Sequence, residues 1–94
     1  MSPKQTHHKH SSSKGYRRML DRLAEHPAVH SVATGRVTPR MGSGRPVAAI
    51  SKVRTVTSGL SITINTDGAI VDAYVVTDRP REVAAFMAEQ GWTG

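Results

Sequence analysis

A chain of 94 residues with no cysteine, and with only Tyr16, Tyr74, Phe86 and Trp92 as aromatics, holds one small domain whose core must be aliphatic. The absence of cysteine excludes disulfides and thiolate metal sites, which leaves histidine and carboxylate coordination or self-association as sources of extra stability. The net charge of +6 favours a polyanionic partner, while the lack of a signal peptide or of an apolar run approaching ~18 residues predicts a cytoplasmic protein with no membrane contact.

Residues 1–13 show no apolar periodicity and read as a disordered, basic, His-rich arm ahead of a single domain over 14–92. In "SSSKGYRRMLDRLAEHP", Tyr16, Met19, Leu20, Leu23 and Ala24 recur at the spacing of one helical face. Any of Ser11 to Ser13 supplies an N-cap hydroxyl, and Pro27 ends the helix by about His26. From Val29 the chain becomes rich in Val, Ile and Thr. "VHSVATGRV" reads as a first strand, Thr38 to Pro46 as a Gly-rich loop, and "VAAISKVRTV" as a second strand. "LSITINT" alternates, with Leu60, Ile62 and Ile64 inward. Asp67-Gly68 then suits a tight primed turn into a fourth strand, "AIVDAYVVT". A second helix follows in "DRPREVAAFMAEQG", with Asp78 as cap, Pro80 in the first turn, Val83, Phe86 and Met87 inward, and Gly91 past the end. The expected fold is α+β: a four-stranded antiparallel meander with the N- and C-terminal helices packed on one face.

Two constellations carry chemistry. The first is "THHKH". His8 and His10 share a side in an extended chain, and His7 and His10 share a face in a helical turn, so two ligands come easily and three need an irregular turn. A zinc site asks for four ligands, or three and water. His26 and His30 are the candidates to complete one, with Asp21 and Glu25 as further options. No Asp or Glu lies between Glu25 and Asp67, so the first two strands offer no carboxylate. Lys4, Lys9 and Lys14 disfavour a cation nearby, and the alternative for the run is a solvated arm.

The second constellation is cationic. Residues 1–54 hold eleven Lys and Arg against Asp21 and Glu25, whereas residues 55–94 hold Arg79 and Arg81 against five acids. Lys14, Arg17 and Arg18 open the first helix, Arg36, Arg40 and Arg45 surround the Gly-rich loop, and Lys52 and Arg54 share a strand face. Such groups suit the phosphate backbone of DNA or RNA. Stacking aromatics are missing from the strand positions expected to be exposed; Tyr74 is the one strand aromatic, and a core position suits it equally. The alternative is a solvated face. "SSSKG" is not a phosphate loop, because Lys14 precedes Gly15 and no strand precedes it. No nucleophile elbow or carboxylate pair points to an enzyme.

The ordered set "HHKH", "HPAVHSVATGRV", "TSGLSI" and "GAIVDAYVVTDRP" resembles a domain-of-unknown-function family of small predicted metal-binding proteins, over roughly His7 to Phe86. The resemblance implies a divalent transition metal, zinc foremost, held mainly by His7, His8 and His10. A nucleic-acid-binding module is the competing expectation. A third is an interaction or assembly protein whose arm orders on its partner, with the oligomeric state left open.

Overall fold

The computed structural model describes residues 11–42 and 48–93. The elements run α1 (Ser11–Glu25), β1 (Val29–Pro39), β2 (Ala49–Val56), β3 (Gly59–Thr66), β4 (Ala69–Thr77) and α2 (Pro80–Glu89). The α+β class and the antiparallel sheet are as expected. The helix begins at Ser11, so Ser12 and Ser13 lie inside its first turn rather than before it.

The sheet order is β1-β4-β3-β2. Strands β2, β3 and β4 form a meander, but β1 joins the far edge of β4 instead of lying beside β2, and the 40–48 connection links strands at opposite edges. Composition explains the order. β3 and β4 carry the strand residues most completely withdrawn from water, Ile62, Ile64, Val71, Ala73 and Val75. They belong in the middle, where both neighbours shield them. β1 ends in Pro39, and β2 carries Lys52 and Arg54; such residues are tolerated at edges and blunt further strand pairing.

Both helices cover one face of this sheet. Met19, Leu20 and Leu23 of α1, Val83 and Met87 of α2, and Ile50, Leu60, Ile62, Ile64, Val71, Ala73 and Val75 form one buried cluster. Phe86 meets the rings of His26 and Trp92 edge-on, at 4.8 and 5.6 Å between centroids. The C-terminal turn is tied to the sheet where the Ile50 amide donates to the Trp92 carbonyl at 2.8 Å.

Local details depart from expectation at the strand ends and in two turns. β1 runs on to Pro39, so Thr38 and Pro39 pair with Ile70 and Ala69 instead of opening the loop, and β2 begins at Ala49. The β3–β4 turn is tight, but only Gly68 takes a positive φ, of 101°. Asp67 does not, which excludes the mirror-image primed turns. At the start of α2, Asp78 makes no capping bond. Instead the Thr77 hydroxyl accepts from the Arg79 amide at 2.9 Å and donates to the Ala28 carbonyl. Gly91 takes the left-handed conformation expected after the helix, with φ 79°.

Candidate nucleic-acid interface

Residues paired directly across an antiparallel ladder share a face. The sheet face away from the helices is therefore read from the register as four rows. They are Ser31–Val76–Gly59–Val56, Ala33–Tyr74–Ser61–Arg54, a row through Asp72, Thr63 and Lys52, and Thr38–Ile70–Asn65–Ala49. Gly59 apart, whose backbone is enclosed by its neighbours, no residue in these rows is buried.

Two bulges shape the third row. On β1, Thr34 and Val37 face Ala73 and Val71 on the helix side, with one residue too many between them; both Gly35 and Arg36 are left opposite Asp72 on the open face. On β2, Ile50 and Val53 face Ile64 and Ile62 in the same way, which places Ser51 and Lys52 together opposite Thr63. Each edge strand thus delivers a cation to the same row, Arg36 from one side and Lys52 from the other. Arg54 lies one row along. Arg40 reaches the end of the face, donating to Asn65 Oδ1 at 3.1 Å. Between the cations, the Thr63 hydroxyl donates weakly to Asp72 Oδ1 at 3.4 Å. No described side chain pairs with Arg36, Lys52 or Arg54.

The other expected cations lie elsewhere. Arg17 and Arg18 are exposed on α1, in the layer behind the sheet. Arg18 and Arg22 line a cleft of about 270 Å³ with Met19, Gln90 and Trp92, and Arg22 donates to Gln90 Oε1. Arg45 and the Lys14 side chain lie outside the described residues.

Tyr74 is the residue that sequence reasoning undervalued. It stands on the open face with 47% of its surface exposed, and its ring leans across to β1 so closely that a Cβ on Gly35 would come within 2.9 Å of Cε2. The signal was present in "AIVDAYVVT". Asp72 marks the wet face of a strand whose other face is Val71, Ala73 and Val75, and Tyr74 alternates with Asp72.

The metal candidates divide differently. His7, His8 and His10 lie outside the described residues. His26 Nδ1 accepts from the Ala28 amide at 3.0 Å, and His30 Nε2 lies 3.2 Å from Asp78 Oδ2 on the surface. Among the described residues, no three His, Asp or Glu side chains converge on one point. Helix length sets how far His26 lies from the start of α1. α1 has 15 residues, which puts Ser11 and His26 about 22 Å apart along the axis. His10 adjoins Ser11, and two imidazoles on one ion reach about 13 Å between their Cα atoms. His10 and His26 of one chain therefore cannot share an ion while α1 is intact. The exposed Asp21 and Glu25 of α1 bring no third ligand to His26 or His30.

No family model matches the chain, and comparison with curated proteins and with solved structures returns no match. The metal-binding expectation accordingly rests on the histidine run and on the resemblance alone. Among the described residues no helix is long and apolar enough to cross a membrane.

Proposed function

We propose that this protein is a binding module, not an enzyme, that takes the phosphate backbone of nucleic acid on the open face of its sheet through Arg36, Arg40, Lys52 and Arg54. The observation that carries the reading is the pair of bulges, which bring Arg36 and Lys52 into one row from opposite edges of an uncovered face. A solvated surface needs no such convergence. Arg and Lys on phosphate release counterions, so four contacts to a single strand imply a log–log salt slope of about −3. Affinity for a 12-nucleotide strand should then fall roughly 50-fold between about 50 and 200 mM salt, read by fluorescence anisotropy. Undetectable binding at the lower salt removes the proposal.

The three imidazoles within four positions favour a second reading, a divalent transition metal at His7, His8 and His10. Helix length keeps His26 from sharing an ion with His10 of the same chain, but leaves His26 and His30 as candidates to join His7 or His8. Any ligand still missing would come from water or from a second copy. Imidazole binds metal only when neutral, so affinity should collapse as pH falls below about 6.5. Calorimetric zinc titration at pH 7.5 should show binding that a His7/His8/His10→Ala variant loses. Equal weak binding by both proteins would count against it.

A further inference from the structure

We infer that the ligand of the open face is single-stranded, with one base stacked on Tyr74; this rests on the backbone-binding reading and goes beyond it in naming the form of the nucleic acid.

The cations alone do not make that choice, but their placement around Tyr74 does. Tyr74 sits on an inner strand, β4, whereas Lys52 and Arg54 lie two strands away on β2, about 10 Å across the sheet. A strand whose phosphates follow β2 turns its bases inward over β3 towards β4. Its neighbours in the row, Ala33 and Ser61, are small, so the ring is not walled in on either side. Gly35 has no side chain, which leaves room for the Cε2 edge of the ring close against β1. The Tyr74 hydroxyl has no partner among the described residues, so what the position supplies is an exposed aromatic surface. Base–aromatic stacking is tolerant of sequence, because every base has a π-face.

Asp72 argues in the same direction. A carboxylate two residues from Tyr74 on the same face repels a phosphate lying directly over it. It accepts hydrogen bonds from the exocyclic amino groups of bases, as carboxylates do from cytosine. A duplex presents phosphates at its surface and hides its base faces in the stack, so it uses neither Tyr74 nor Asp72. A single strand uses both.

The test compares wild type, Tyr74→Leu, Tyr74→Phe and Gly35→Val by anisotropy. The probes are a mixed-sequence 12-mer, as DNA and as RNA, and a hairpin duplex. Tyr74→Leu should weaken binding of whichever single strand the wild type takes by about 5- to 100-fold, with duplex affinity and salt slope unchanged. Tyr74→Phe, which keeps the ring, should bind as wild type. Gly35→Val, which displaces the ring without removing it, should weaken the single strand alone. Wild-type affinity in the Leu variant, or an equal fall on single strand and duplex, overturns the inference while leaving backbone binding standing. Failure of wild type to bind any of the probes at low salt overturns both.

Discussion

At the scale of single residues, the fold depends on a few positions where backbone and side chain leave no alternative. A Cβ at Gly59 would lie 1.9 Å from the Val75 carbonyl oxygen and 2.9 Å from the Thr77 amide nitrogen, both backbone atoms of the neighbouring strand. Gly59→Ala should therefore separate β3 from β4 locally and destabilise the domain by at least about 2 kcal/mol, seen as a lower midpoint in urea. Thr77 is buried and serves two backbone groups, the Ala28 carbonyl and the Arg79 amide. Thr77→Val keeps the shape but leaves both unpaired, at a cost of about 1–3 kcal/mol on the same assay. Thr77→Ser, which keeps the hydroxyl, should recover most of that. Neither position announces itself in the sequence. Gly59 reads as ordinary turn punctuation in "TSG", and the requirement for glycine appears only once β4 is laid against it. Thr77 was the end of a strand, and Asp78 the more obvious cap.

At the scale of elements, periodicity identified the two helices and the inner strands, because each of these buries one face against a single core. β1 and β2, exposed along most of their length, were legible from their Val, Ile and Thr content. α1 illustrates the periodicity: Met19, Leu20 and Leu23 meet the sheet as their spacing requires. Leu23 is fully buried, and Leu23→Ala should cost about 2–5 kcal/mol, again as a shifted urea midpoint. Strand order was less legible. Alternation shows which face of a strand is wet, not which strand is its neighbour, and successive strands pair often enough that a simple meander was the natural expectation. The information that decides the order is distributional. Pro39 in β1 and the cations of β2 suit edges, and a sheet ordered by sequence would have placed β2 in the interior. The bulges were illegible for a related reason. Each is a one-residue mismatch between two strands, so it exists only in the pairing; yet the bulges are what bring Arg36 and Lys52 to the same row.

At the scale of the whole molecule, the cationic first half of the chain does not fold into one patch. Its described basic residues separate onto two surfaces: Arg36, Arg40, Lys52 and Arg54 on the open sheet, and Arg17, Arg18 and Arg22 on α1 behind it. Net charge could be counted in the sequence, but its division required the register. That division makes the central claim testable by location, since both surfaces raise affinity for a polyanion if charge alone matters. The most direct measurement is the salt dependence of single-strand binding by two charge-reversal variants, Lys52→Glu/Arg54→Glu on the sheet and Arg17→Glu/Arg18→Glu on the helix. Each changes net charge by the same amount. If the open face is the interface, the sheet variant loses at least about tenfold in affinity and its salt slope becomes shallower by about 1.4, while the helix variant stays within a few-fold of wild type. Equal losses in both variants, or a loss confined to the helix variant, would contradict the account.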